Sequence, residues 1–237
     1  MCERYPRKWR HRSSHSLVLS LVGMGEGKRA LDVGCARGHL LNELAKRGWK
    51  CLGVDTDASD VAACIARGLV AVKLEAASDP LTRLGYFDLV VLADVLEHMP
   101  DPLRVLREVH SILNPGATVV LSVPNVAHIS VRLQLLFGRF RYTTRGILDR
   151  THLRFFTRRT VLELLADSEF HVRQMTSSAA PIELVWPALM RSRLGRLLIA
   201  LNERLPALWS GGFGYQYILV ASPNNDPRHP NASLRLR

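Results

Sequence analysis

Ala30-Leu31-Asp32-Val33-Gly34-Cys35-Ala36-Arg37-Gly38-His39 is the stretch that decides the fold. Its apolar start reads as a buried strand, its two glycines supply a turn with freedom at φ, and His39 opens a helical period. Strand, glycine turn and helix in that order form the first unit of a parallel sheet with crossover helices. The same alternation continues outward. Strands are expected near Ala30 to Val33, Cys51 to Val54, Leu69 to Val72, Phe87 to Leu92, Thr118 to Val123, His171 to Met175 and Tyr215 to Ala221. Helices are expected at His39 to Arg47, Ser59 to Ala66, Leu103 to Leu113 and Thr160 to Ala166, with Asn114-Pro115-Gly116 stopping the third. Val126 to Phe137 reads as an extra helix and Gly138 to Arg159 as an inserted loop.

The 237 residues suffice for one sizeable core, and 47% hydrophobic with 22% charged residues matches a folded globular chain rather than a disordered one. No apolar run reaches the roughly 18 residues of a membrane span. A formal charge of +11 favours anionic partners. Cys2, Cys35, Cys51 and Cys64 form no C-x-x-C pair, so neither a zinc site nor a disulfide framework is expected, and no metal. A cytoplasmic location is the expectation, with an organellar presequence ranked below it, since Met1 to Arg12 is basic without the apolar run of a secretory signal. The sequon Asn231-Ala232-Ser233 would then stay unmodified, and there is no internal repeat.

Gly34 and Gly38 permit a ligand to approach the backbone closely. Asp32 selects that ligand's charge: a carboxylate just before Gly34 repels the pyrophosphate a dinucleotide places at such a helix N-terminus, and attracts a cation. The G-x-G-x-x-G fingerprint is also absent. S-adenosylmethionine carries an ammonium and a sulfonium and no phosphate, which suits an acid here. A second acid, Asp55, ends the second strand, where a carboxylate can accept hydrogen bonds from both ribose hydroxyls. In Asp55-Thr56-Asp57 it is also placed to cap the next helix.

At these residues the chain resembles class I S-adenosylmethionine-dependent methyltransferases. Leu31-Asp32-Val33-Gly34-Cys35-Ala36-Arg37-Gly38 is similar to their motif I, and Gly53-Val54-Asp55 to their ribose-binding acid. Phe87-Asp88-Leu89-Val90-Val91-Leu92-Ala93-Asp94-Val95-Leu96-Glu97-His98-Met99-Pro100-Asp101-Pro102 resembles the fourth-strand motif of the group that includes ubiquinone-biosynthesis O-methyltransferases and MetW-like proteins. Leu113-Asn114-Pro115-Gly116 matches too, so the likeness covers about residues 28 to 123, and Phe170 to Met175 with Tyr215 to Ala221 looks like the family's closing hairpin. The resemblance implies an α/β fold, a Rossmann-like seven-stranded mostly parallel sheet with helices on both faces and an antiparallel last strand. It implies one domain, with a core at about residues 17–222, an acceptor lid at about 125–157 and tails at 1–12 and 223–237. It also implies S-adenosylmethionine as cofactor. Asp32, Gly34, Cys35 and Gly38 would line its methionine side, Asp55 and Thr56 its ribose, and Ala93 with Asp94 its border on the fourth strand. Two residues depart from the family pattern. Ala36 replaces the usual middle glycine, and Lys73 stands where many relatives hold adenine with an acid, a role open here to Glu75 or Asp79.

Methyl transfer is an in-line displacement at an activated carbon, so alignment supplies most of the catalysis and a base serves chiefly to deprotonate a hydroxyl acceptor. His98 and His152 are the candidate bases. The alternatives are a brace before Pro100 for His98 and a structural hydrogen bond to Asp149 for His152. Ser122 to His128 and Leu148 to Thr157 resemble a bacterial subgroup associated with cell-surface polysaccharide pathways, which implies a saccharide-related acceptor beside the quinone-type one. Asn125, His128, Asp149, Arg150 and Arg154 are the candidate acceptor contacts. Nucleic-acid amino-methylating enzymes tend to carry an Asp or Asn-Pro-Pro-aromatic motif where this chain has Ala93-Asp94-Val95-Leu96, which disfavours base N-methylation.

From Arg139 to Arg159 the lid interleaves arginines with Phe140, Tyr142, Phe155 and Phe156 against one acid, Asp149. That composition fits an anionic acceptor, a single-stranded RNA platform or a solvated basic surface, with RNA ranked below a small or carrier-linked acceptor. The basic amphipathic stretch from Leu189 to Leu201 either touches an anionic membrane peripherally or covers the sheet. Tyr5, Trp9, His11 and His15 form either a flap over the cofactor or a tail. The expected function is O-methylation of a small or carrier-linked acceptor of saccharide or quinone type. The alternatives are a non-catalytic methyltransferase-like partner protein and an RNA methyltransferase.

Overall fold

A computed structural model describes residues 13–182 and 192–224. Strands β1 (Arg29–Val33), β2 (Lys50–Asp55), β3 (Ala71–Lys73), β4 (Phe87–Ala93), β5 (Leu113–Pro124), β6 (Phe170–Ser177) and β7 (Gln216–Pro223) form one sheet in the order β3-β2-β1-β4-β5-β7-β6. The pairings from β3 to β5 are parallel, and β7 runs antiparallel to both β5 and β6. The expected α/β architecture with a reversed last strand is therefore the one observed.

The central strands β4 and β5 carry near-continuous apolar runs because both faces of the sheet are buried there. Side chains alternate between faces. Ala30, Leu89 and Val91 pack in one layer with Val18 and Leu19 of α1 (Ser14–Leu21) and with Leu40 and Leu44 of α2 (His39–Lys46). Leu31, Val90 and Leu92 pack in the other with Val105, Leu106 and Val109 of α4 (Pro102–Ser111) and with Val161 and Leu165 of α6 (Arg158–Asp167). Helix α3 (Ala58–Ile65) covers the β2/β3 edge through Val61 and Cys64. Between β5 and α6 the chain makes α5 (Ile129–Leu136) and a long loop, and before β7 it makes α7 (Arg193–Leu208) and α8 (Ser210–Phe213).

Several boundaries differ from expectation for physical reasons. Asn114-Pro115-Gly116 ends no helix: α4 closes earlier at Ser111, and these residues open β5, with a register shift against β4 between Phe87 and Leu89. The strand expected at Leu69 to Val72 is the shorter β3, displaced toward Lys73. The extra helix occupies only Ile129–Leu136, because the His128 side chain caps it by accepting the Ser130 amide. Helix α1 went unread in the sequence. Ser13 caps it, its apolar positions belong to the core, and it contains His15 of the expected flap. Tyr5, Trp9, His11 and part of the Leu189 to Leu201 stretch lie outside the described residues, and the rest of that stretch falls on α7. No helix among the described residues is long and apolar enough to cross a membrane.

Candidate active site

The carboxyl ends of β1, β2 and β4 open onto a cleft of about 360 Å³ lined by Gly34, Asp55, Thr56, Glu75, Asp94 and His98 with apolar residues between them. This is the edge of an open α/β sheet where ligands bind. The β1 turn that floors it alternates through the left-handed region, with φ of 70° at Gly34, 45° at Ala36 and 71° at Gly38. The turn is pinned from behind. Gly34 and Cys35 donate their amides to the Val54 carbonyl at 2.8 and 3.0 Å, and the Cys64 thiol donates to the Ala36 carbonyl at 3.1 Å.

Asp55 is the hub of this end of the cleft. One carboxylate oxygen accepts the Ala36 amide at 2.7 Å, and the other accepts the Asp57 amide at 3.0 Å. The capping of α3 falls to Asp57, which accepts the Ser59 amide, so Asp55 is a turn clamp and a cleft wall rather than the helix cap. Thr56 lines the cleft beside it.

The other expected cofactor residues divide. Asp32 is 2% exposed and stands behind the turn, not on the cleft wall. Its carboxyl is pushed up to about 7 by burial first and by the Asp55 charge second, against the Leu41 amide that bonds to it. One Asp32 oxygen has no hydrogen-bond partner. Gly38 also lies off the cleft, and its lack of a side chain serves packing: a Cβ there would stand 2.6 Å from Leu69 and 2.8 Å from the Cys64 sulfur. At Gly34 a Cβ would meet Val95 at 2.7 Å. Cys35 is buried among Cys64, Val61 and Ala71, and burial pushes its thiol far up. Ala93 pairs with Ser122 in the sheet and lies off the cleft lining, whereas Asp94, next to it, lines the cleft.

Asp94 holds φ of 59°, a backbone that L residues other than Asp and Asn adopt at a cost of about 1–2 kcal/mol. Its carboxylate accepts the Ser122 hydroxyl at 2.6 Å and the Gln216 amide at 2.7 Å, so β5 and β7 hold it in place. Gln216 is a site residue that sequence reading missed, because a lone glutamine at the start of an expected strand carries no signal. Across the cleft, Leu74, Glu75 and Ala76 form the wall after β3. Of the two acids open to the role of Lys73's missing carboxylate, Glu75 lines the cleft, while Asp79 is used to accept the Glu75 amide at 2.9 Å.

The two candidate histidines come together. Their rings meet edge to face with centroids 4.9 Å apart. The His98 Nδ1 lies 3.1 Å from the Thr151 carbonyl and the His152 Nδ1 3.0 Å from the Ile147 carbonyl. A carbonyl only accepts, so each Nδ1 donates, and the neutral form of either ring carries its lone pair on Nε2. Burial lowers the His152 pKa, more than the Ile147 bond and the Asp149 and Asp94 charges raise it. Glu97, His98 and His152 bring one ligand atom each within 4.8 Å of one another, the spacing of a metal site, in a chain whose sequence suggested none.

The expected acceptor contacts are mostly occupied in building the lid. Asn125 is fully buried, donates to the Gly211 and Gly214 carbonyls at 3.2 and 2.8 Å and accepts the Ala127 amide, so it ties the lid's root to the turn before β7. His128 caps α5, and burial pushes its pKa down to about 4. Asp149 accepts the Thr151 amide and hydroxyl. Burial pushes its carboxyl up, but those two bonds with the His152 and His98 charges hold it below its ordinary value. The expected hydrogen bond between Asp149 and His152 forms through the backbone, the His152 amide donating to the Asp149 carbonyl at 3.1 Å, while the two side chains interact by charge. Arg154 lays its guanidinium on the Pro100 carbonyl and bolts the lid to the β4 loop. Arg150 is exposed.

Comparison with known proteins agrees with this geometry. The family described as a methyltransferase domain matches residues 4–175. The ubiquinone biosynthesis O-methyltransferase of Marinobacter nauticus is 38% identical over 108 residues, 42% of this chain and 45% of that protein. The enzyme of the same description from Pseudomonas aeruginosa is 36% identical over 105 residues, with the same shares. The chain thus spans less than half the length of these curated relatives. A methyltransferase structure from Archaeoglobus fulgidus superimposes with TM-score 0.61 at 21% identity, covering 88% of this chain and 91% of that one. Magnesium protoporphyrin IX methyltransferase from Synechocystis, solved with bound S-adenosylhomocysteine, does so with TM-score 0.59 at 18% identity, covering 88% and 80%. At these identities the likeness is one of fold.

Proposed function

The chain belongs to the methyltransferase domain family, whose cofactor is S-adenosylmethionine, and from that premise we propose that it methylates an oxygen of a small or carrier-linked acceptor. The residues present fit the cofactor. The cleft falls in the size range of small-molecule sites, its floor is backbone at Gly34, and the partnerless Asp32 oxygen beneath supplies buried negative charge for a cationic ligand. Asp55 and Thr56 would hold the ribose, and Asp94 and Glu75 would border the remaining polar groups. When bound, the cofactor supplies a methyl group on a sulfonium, ready for in-line displacement.

The chain's own part is to align and deprotonate the acceptor. The observation that carries the reading is the histidine pair: both Nδ1 atoms are committed to backbone carbonyls, and His98 stands on the cleft wall with its Nε2 lone pair to offer. A neutral imidazole so fixed takes the hydroxyl proton as the carbon–oxygen bond forms, a contribution of typically 10²- to 10⁴-fold. The curated relatives' description supports a quinone-type acceptor before a saccharide one. A thermal melt tests the cofactor half. At 100-fold excess over Kd a ligand stabilises by about 2.7 kcal/mol, about 5–10 °C at this chain length. S-adenosylmethionine and S-adenosylhomocysteine are expected to raise Tm by that much in wild type and not in Asp55→Ala; no shift in wild type at millimolar ligand refutes the reading.

A further inference from the structure

The lid turns outward a face that neither the cleft nor the core uses. Leu136 and Phe137 are 76% and 72% exposed at the end of α5, and Leu133, Phe140 and Tyr142 flank them at about half exposure. From Val126 to Leu148 the chain contains no Asp or Glu, yet it carries Arg132, Arg139, Arg141 and Arg145. The guanidinium groups of the last three make no ion pair among the described residues. Arg132 lies 5.4 Å over the ring of Trp209, which extends the face to Leu208, itself 81% exposed. Folded chains seldom leave so continuous an apolar surface to water.

We propose that this face docks the protein on an anionic bilayer surface, with Leu136 and Phe137 entering the acyl boundary and Arg139, Arg141 and Arg145 on the headgroup phosphates. An apolar tip ringed by cations matches the two zones of a lipid interface. Charge complementarity selects an anionic surface, since the stretch from Val126 to Leu148 has no acid to repel it and the whole chain is at +11. RNA fits less well. Phe140 and Tyr142 pack edge to face against each other at 5.4 Å, and Phe140 against Phe155 at 6.1 Å, while Leu136 offers no ring for a base to stack on. Phe155 in turn lies 6.3 Å from His152, so one row of rings links the docked face to the cleft. Resting on the acceptor reading above, this row would admit a lipophilic acceptor from the bilayer side.

Cosedimentation of the full chain with vesicles of mixed phosphatidylglycerol and phosphatidylcholine, against pure phosphatidylcholine, tests the docking without cofactor or acceptor. A failure here therefore leaves the methyltransferase reading standing. Wild type is expected to bind the anionic vesicles at least tenfold more tightly than the neutral ones, with binding weakened by salt. Arg139→Ala with Arg141→Ala should weaken it more than tenfold, at roughly fivefold per lost arginine, and Leu136→Ser with Phe137→Ser by a similar factor. An unchanged cofactor-induced melting shift shows that these exposed positions leave the fold intact. Four results overturn the proposal: no binding by folded wild type, equal binding to neutral vesicles, variants that bind like wild type, or a wild-type dimer by light scattering that the Leu136→Ser, Phe137→Ser variant dissolves without any vesicle binding.

Discussion

Replacing Asp32 with Asn should stabilise the free protein, and more so as pH rises. The carboxyl titrates at about 7 in the fold against 3.8 ordinarily, because burial and the Asp55 charge disfavour its ionised form. The folded state then binds the proton more tightly than the unfolded one, so stability falls as pH rises from about 4 and levels off above about 7. At 1.36 kcal/mol per pH unit the cost approaches about 4 kcal/mol at pH 8, of which roughly 2 to 3 kcal/mol accumulates between pH 5 and pH 8. His128 contributes the opposite slope. Its folded pKa of about 4 lies below the ordinary 6.5, so its contribution to stability is lost as pH falls through that window. Only the difference between variant and wild type isolates Asp32. Differential scanning fluorimetry of both proteins at pH 5 and pH 8 should show the Tm advantage of Asp32→Asn growing by roughly 5–10 °C, at 2–4 °C per kcal/mol. The Leu41 amide keeps an oxygen acceptor in the variant, so its bond survives. Melting curves that stay parallel across that range would refute the reasoning. The variant should also bind S-adenosylmethionine more weakly, since the charge beneath the turn is gone.

Three further outcomes follow from the same geometry. His98→Gln should lower kcat by 10² or more for a hydroxyl acceptor while leaving the cofactor-induced Tm shift intact, and equal loss of both would make His98 a structural brace. Ala36→Gly should raise stability by about 0.5–1 kcal/mol in urea unfolding: the roughly 1–2 kcal/mol penalty of a φ of 45° at a residue with a Cβ outweighs the added freedom of the unfolded chain. Arg154→Ala frees the lid from the Pro100 carbonyl, so steady-state kinetics should show a raised acceptor KM with cofactor affinity unchanged.

The sheet was legible because strands buried on both faces leave runs such as Leu89 to Leu92 that no other element explains, and because Gly34 and Gly38 mark the turn. Helix α1 was not, since Ser14 to Leu21 is short, mixes Ser and His with its Leu and Val, and gives a weak period. At the site, Asp55, Thr56, Asp94 and His98 could be placed because each sits at a strand's carboxyl end, a position that topology brings to one edge. Gly38, Asn125, His128 and Arg154 were read as ligand contacts but spend their bonds or their missing side chains on the protein itself. A glycine that relieves a clash with Cys64 looks, in sequence, the same as one that admits a cofactor. The pairing of His98 with His152 crosses from β4 to the lid, and only the packed structure brings the two rings within 5 Å.

The account rests most heavily on transfer to oxygen, and the direct measurement is incubation with S-adenosylmethionine carrying a ¹³C-labelled methyl group and a set of catechol-type and saccharide acceptors. One labelled O-methyl group should appear per S-adenosylhomocysteine released, and His98→Gln should slow both together. Label on nitrogen, or a bound cofactor that yields no S-adenosylhomocysteine with any acceptor, would contradict the account.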